Sequence, residues 1–115
     1  MKYMLLMYYK ESEAPHDPAA IKELQQAWGT YMHEATAAGV LLANNGLAPT
    51  ANASTLRVRN GKTLITDGPF AETHEQLAGF TLVDCKDVDE ALKWAGKIPI
   101  AQYGSVEVRP LWDSI

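Results

Sequence analysis

The hydrophobic pattern opens on a strand that is apolar at both parities. From Lys2 to Tyr9 the chain places Tyr3, Leu5, Met7 and Tyr9 on one side of an extended segment and Met4, Leu6 and Tyr8 on the other. Successive side chains of a strand point to opposite faces, so both faces of this one need cover. Residues 10 to 16 form a polar loop, and Asp17-Pro18 then reads as a helix start. The carboxylate can accept first-turn amides, and the fixed φ of proline suits the first helical position. Ile21, Leu24, Trp28, Tyr31, Ala35 and Ala38 recur at spacings of three and four, the stripe of an amphipathic helix. Gly39 is placed to end it. Gly29 interrupts the interior at a cost of roughly 1 kcal/mol against alanine. It either marks a close approach by another backbone or has no role.

Beyond the helix the period changes. Val40 to Ala43 reads as a short strand broken by Asn44-Asn45-Gly46, and Ser54–Arg59 and Lys62–Thr66 flank Asn60-Gly61. Asn-Gly between two such runs is a strong hairpin signal, because both residues accept positive φ. Ala78 to Cys85 is another strand. Asp87 with Glu90 three residues on resembles a capping box with aspartate in place of serine or threonine. Val88, Ala91, Leu92 and Ala95 then supply a second buried stripe, and Pro99 stops that helix. Ser105 to Leu111 is the last strand, with Val106 and Val108 on one side and Glu107 and Arg109 on the other.

The order β, α, β, hairpin, β, α, β is α+β: a ferredoxin-like split βαβ with an inserted β-hairpin, expected as one domain over residues 1–115. Two helices cover only one face of such a sheet. The second apolar face of the first strand is therefore expected to meet another copy of the chain, in a homodimer.

Composition narrows the function classes. With 115 residues, 47% of them hydrophobic and 21% charged, the chain has the profile of one globular domain. A net charge of −4 with seven scattered lysines offers no basic stripe, so no direct nucleic-acid partner is expected. The single Cys85 makes no internal disulfide and is expected to be a small buried hydrophobe. The apolar start is too short for a membrane span and lacks a signal-peptide cleavage pattern, so a cytoplasmic protein without membrane partners is expected.

Chemistry concentrates in Asp67-Gly68-Pro69-Phe70-Ala71-Glu72-Thr73-His74-Glu75. This stretch packs three carboxylates and an imidazole into nine residues. A histidine near carboxylates suits acid–base work at neutral pH, and imidazole with carboxylate also suits divalent ions. The simpler reading is a solvated loop in which Asp67 and Thr73 hold turns through the backbone. Asp67, Glu72 and His74 are the catalytic candidates. His16, beside the first helix, can swing over a pocket mouth. Tyr9, with Tyr3, Tyr8, Trp28 and Tyr31, can line a pocket for a flat ligand, although aromatic residues at these spacings usually form core. Arg109 can clamp a carboxylate, of a ligand or, as the structural alternative, of Glu72 or Glu75. His33, off the helical stripe beside Glu34, is expected in solvent. No His-x-x-x-His or Cys-x-x-Cys pair, phosphate loop, nucleophile elbow or nucleotide fingerprint occurs, so neither a metal site nor a cofactor is expected.

These residues carry a resemblance. Lys2 to Leu6, Ser54 to Arg59, Asp67 to Glu75, Gly79-Phe80, Asp87 to Ala91 and Gly104 to Pro110 together resemble the DGPF-type members of the YCII-related family. That family usually carries lysine where this chain has His74, so its pattern requires no imidazole there. The resemblance implies a ferredoxin-like fold of the dimeric α+β barrel kind. Relatives in the wider superfamily are enzymes on small, often aromatic, molecules, and some family members accompany a sigma-factor-like transcription protein. Two functional expectations follow. One is a small-molecule enzyme using Asp67, Glu72 and His74 on a small organic substrate. The other is a non-catalytic ligand-binding or regulatory module linked to sigma-factor-dependent transcription.

Overall fold

Every backbone group of the apolar first strand needs a partner, and the chain supplies one on each side. In the computed structural model, which describes residues 1–115, β1 (Lys2–Tyr9) lies between β5 (Gln76–Asp84) and β6 (Ser105–Pro110), antiparallel to both. The edge strand β2 (Leu41–Gly46) pairs antiparallel with β5, giving the order β2-β5-β1-β6. Helices α1 (Pro18–Ala37) and α2 (Val88–Gly96) lie on one side of the sheet. This is the ferredoxin-like α+β arrangement. The inserted hairpin, β3 (Ser54–Arg59) and β4 (Lys62–Asp67), pairs only with itself and forms a separate ribbon turned by Asn60 and Gly61, both at positive φ.

The core sits between sheet and helices. Tyr3, Leu5 and Met7 point into it with Val83 and Thr81 from β5, and meet Tyr31 and Ala35 of α1 and Ala91, Trp94 and Ala95 of α2. The opposite side of the sheet carries Met4, Leu6, Tyr8, Phe80 and Leu82, half-buried, with Arg109 and Glu107 beside Met4 and Leu6 and no helix over them. Tyr8 alone shares a depression with Phe70 of the 67–75 turn.

The helices depart from the sequence pattern in instructive ways. Pro18 opens α1 as expected, but the Asp17 side chain makes no capping bond, and only its carbonyl receives the Ile21 amide. Of the α1 stripe, Tyr31 and Ala35 are buried, while Ile21 and Ala38 lie at the exposed ends. No backbone or side chain approaches Gly29, so it accommodates nothing. In α2 the Asp87 carboxylate does accept the Glu90 amide, at 2.9 Å. The buried residues there are Ala91, Trp94 and Ala95, whereas Val88 and Leu92 are exposed. Trp94 replaces them because its large ring fills the space beside Tyr31, edge to face at 6.1 Å. Strand β2 runs through Asn44-Asn45-Gly46 instead of ending before it, because Asn44 pairs with Thr81 and Gly46 with Gly79 across the sheet.

Candidate functional site

The turn from Asp67 to Glu75 is a tied junction. Gly68, at φ +97°, donates its amide to the Ala53 carbonyl at 2.7 Å, and the Thr55 hydroxyl donates to the Gly68 carbonyl at 2.8 Å. Arg57 reaches the Phe70 carbonyl at 3.2 Å. Beyond the turn, the Gln76 side chain donates to the Thr73 carbonyl and accepts the Glu11 amide. The Glu11 carboxylate in turn accepts both the amide and the hydroxyl of Thr50, each at 2.8 Å. Glu11 and Gln76 thus fasten three loops together.

The charged groups of this turn point outward. Asp67, Glu72 and His74 are all exposed, and none takes part in an ion pair. Glu72 borders a shallow depression with Pro69, Thr73 and Gln76. A neighbouring, more enclosed one of about 300 Å³ holds Tyr8, Phe70 and Leu77 and no carboxylate or imidazole. No cluster of three or more His, Cys, Asp or Glu side chains with metal-holding geometry exists in the chain.

The remaining candidates separate. The expected partnership of Arg109 with Glu72 or Glu75 does not form. Arg109 pairs with Glu107, two residues away on the same face of β6, and that hydrogen bond, then the charge behind it, raises the guanidinium pKa. Two residues along a strand share a face, so Glu107 reaches Arg109 without any loop having to move. Glu75 instead accepts the Ser105 hydroxyl at 2.8 Å. His33 is exposed. Cys85 is buried, and burial, followed by the Glu90 charge, pushes its thiol up to about 11.

Room for a ligand lies elsewhere, on the helix side of the sheet. A cavity of about 390 Å³ opens between α1, the end of the sheet and the turn at Pro99–Gln102. Its walls include Tyr9, Trp28 and Tyr103, with Met7 and Ile100 behind them. Tyr9 and Tyr103 meet edge to face at 5.8 Å. Partial burial, then the neighbouring Tyr9, raises the Tyr103 phenol pKa. Ala14 and Pro15 form part of the rim, so His16 sits beside the mouth, its Nδ1 held 3.3 Å from the Ala14 carbonyl. Among the sequence candidates, Tyr9 and Trp28 are in the wall, whereas Tyr3, Tyr8 and Tyr31 are not.

Besides the Tyr9 and Tyr103 hydroxyls and the Trp28 indole N–H, the lining carries one amide, that of Asn44. The fully buried Thr81 hydroxyl donates to Asn44 Oδ1, which leaves the amide nitrogen of this lining residue as a donor without a protein partner. Neither Asn44 nor Tyr103 is marked by the sequence pattern. The only signal available was a polar residue at an inward register position, which becomes visible once Asn44 is paired with Thr81. Gly104 closes the wall near Ile100, where a Cβ would lie 2.0 Å from the Tyr8 carbonyl oxygen.

Comparison with known proteins shows the family. A relative in Rhizobium meliloti (strain 1021), named Uncharacterized protein R00369, is 42% identical over 118 residues, covering 96% of this chain and 92% of its own length. The family model described as YCII-related domain matches residues 1–115, and the chain belongs to that family.

Proposed function

We propose that this protein is a homodimeric binding domain for a small organic molecule, held in the cavity between α1 and the sheet. The lining carries the reading: three aromatic rings surround one amide donor whose oxygen is already engaged. Rings in edge contact suit a flat apolar body, and the Asn44 amide suits a carbonyl or hydroxyl oxygen on it. No charged side chain lines the space, and an ion seated there would lose hydration without gaining a partner. The ligand class is therefore planar, uncharged and oxygen-bearing. A volume of about 390 Å³ lies within the range of small-molecule sites.

The bare sheet face supports the dimer. Met4, Leu6, Tyr8, Phe80 and Leu82 form one apolar patch, and a second copy presents the same patch about a two-fold axis. This agrees with the dimeric α+β barrel that the family resemblance implies. A binding domain of this kind also suits a regulatory module beside a sigma-factor-like protein.

A second reading keeps acid–base chemistry on a small substrate by Asp67, Glu72 and His74. One observation favours it: Glu72 borders a depression with Pro69, Thr73 and Gln76, next to the one under Tyr8 and Phe70 that a second copy would enclose.

Titration calorimetry with 2-naphthol, a planar uncharged hydroxyl compound, tests the first reading. One saturable site per chain is expected. Gly46→Leu introduces a branched side chain at the cavity lining, and its Cβ has room, since only the Ala78 carbonyl oxygen lies near it, at 4.0 Å. That variant should abolish binding, while Glu72→Gln should leave it unchanged. Binding that survives Gly46→Leu and falls with Glu72→Gln would move the site to the turn.

A further inference from the structure

The β3–β4 ribbon is the least explained part of the molecule. A two-stranded hairpin in water is at best marginally stable, and this one pairs with nothing but itself. Its register places Leu56 opposite Ile65, with Val58 on the same side. These side chains are 60%, 70% and 57% exposed. The other side carries Arg57, Arg59 and Lys62, with Leu64 opposite Arg57. One ribbon thus has an aliphatic face and a mainly cationic face; Arg57 reaches the Phe70 carbonyl, and the aliphatic face is left exposed.

The shape of the chain says how much surface is unaccounted for. Its radius of gyration is 16.1 Å, against about 13 Å for a compact chain of this length. Its extents of 48 × 41 × 19 Å describe a flat body. Its accessible surface is 7801 Å², against about 6,200 Å² for a folded monomer of 12.6 kDa. The excess is about 1,600 Å² per chain, whereas one partner in an ordinary interface contributes about 800 Å². Contact between two bare sheet faces on the ordinary scale leaves about half of the excess open, and the ribbon is where such surface exists.

We propose that the ribbon is an embracing arm: each copy lays its Leu56–Val58–Ile65 face on a second copy of this chain. The inference rests on the homodimer reading above and adds a second contact to it. Together the two contacts bring the total near 3,200 Å², the scale of permanent dimers. Charge selects the same occupant. Residues 54–67 carry Arg57, Arg59 and Lys62 against Asp67 alone, in a chain of net charge −4, so the remainder of each copy carries −6. The arm of one copy is attracted to the body of the other. A nucleic acid would meet the same small cationic face with the rest of the chain repelling it.

Hydrogen exchange and sedimentation on the full chain decide the matter together. In the wild-type dimer, amides of residues 54–67 should exchange at least about tenfold more slowly than in dilute monomer, because cover suppresses ribbon opening. Val58→Lys with Ile65→Lys should raise the dimer dissociation constant at least about tenfold, since two aliphatic side chains leave a buried contact. These positions are exposed in the protomer, so its circular dichroism should not change. Leu6→Asp, on the bare sheet, serves as the separate control. If Leu6→Asp dissociates the dimer while the arm variant does not, and residues 54–67 exchange like an open ribbon, the arm inference is overturned and the sheet-face dimer stands. If the arm variant dissociates it and Leu6→Asp does not, the sheet-face dimer falls and the arm remains. Arm protection that requires an added protein or nucleic acid, or a wild-type chain that stays monomeric at micromolar concentration, overturns the arm.

Discussion

The turn at residues 67–75 and the cavity beneath α1 are built in opposite ways. The turn is local in its chemistry: its charged residues are neighbours in sequence, and Asp67, Glu72 and His74 face solvent while Ala53, Thr55 and Arg57 of the hairpin side tie its backbone. The cavity is remote: Tyr9, Trp28, Asn44 and Tyr103 come from four separate segments and become neighbours only when the sheet closes. Charge density along a chain marks where water is welcome. Enclosure marks where a ligand can replace water, and enclosure needs walls from distant elements.

The largest effect should come from the cavity wall. Gly104→Ala forces a Cβ to within 2.0 Å of the Tyr8 carbonyl oxygen, so backbone must shift. A loss of at least about 3 kcal/mol is expected, read as a lowered urea midpoint. A near-native midpoint would mean that this wall yields, and the cavity would lose its fixed shape. Next comes Trp28→Ala, which removes a half-buried ring in contact with Tyr31. About 2–3 kcal/mol of stability should be lost along with 2-naphthol binding.

At the turn the expected effects are smaller. Gly68→Val places a β-branched residue at φ +97° and should cost roughly 1 kcal/mol or somewhat more. An unchanged midpoint would show that the junction adjusts freely. Glu72→Gln should change stability by less than about 0.5 kcal/mol, because the carboxylate is exposed and unpaired. A larger loss would show that the turn depends on its charge and is less unlike the interior than its exposure suggests.

Alkaline pH sharpens the contrast from the interior side. Burial raises the Cys85 thiol from 9.0 to about 11 and the Tyr31 phenol from 10.0 to about 12. The folded chain then holds protons that the unfolded chain releases, so stability is fully present below pH 9 and falls as pH rises toward 11. Cys85→Ala should flatten the first part of that decline in denaturation midpoints measured across this window. An unchanged slope would remove Cys85 as its cause. Tyr31→Phe should be nearly neutral at pH 7 or slightly stabilising, since the buried Tyr31 hydroxyl has no hydrogen-bond partner.

Much of the fold was legible in the chain. The two-faced pattern of residues 2–9, the Asn60-Gly61 hairpin and the Asp87 cap all act through neighbours a few positions away, and each forms as its local chemistry requires. The prolonged β2 was not legible, because Asn44 and Gly46 gain their strand geometry from Thr81 and Gly79. Nor was the choice of Trp94 over Leu92, which depends on what stands opposite the helix. Of the candidate site residues, Tyr9 reached the cavity because it belongs to the apolar strand, and His16 came to rest beside its rim. Arg109 took the nearest carboxylate, and Asp67, Glu72 and His74 stayed in water.

Residue pattern alone settled the element order, the need of both faces of β1 for cover, and a charged turn at Gly68, but not which face of β1 the helices took. Each of these follows from side-chain period or backbone chemistry within a few residues. Only the tertiary structure decided that Asn44, held by Thr81, would face three aromatic rings, and that the β3–β4 ribbon would project with its aliphatic side uncovered. The physical reason is that burial is a property of what arrives from elsewhere in the chain, and a residue's own neighbours in sequence carry no record of it.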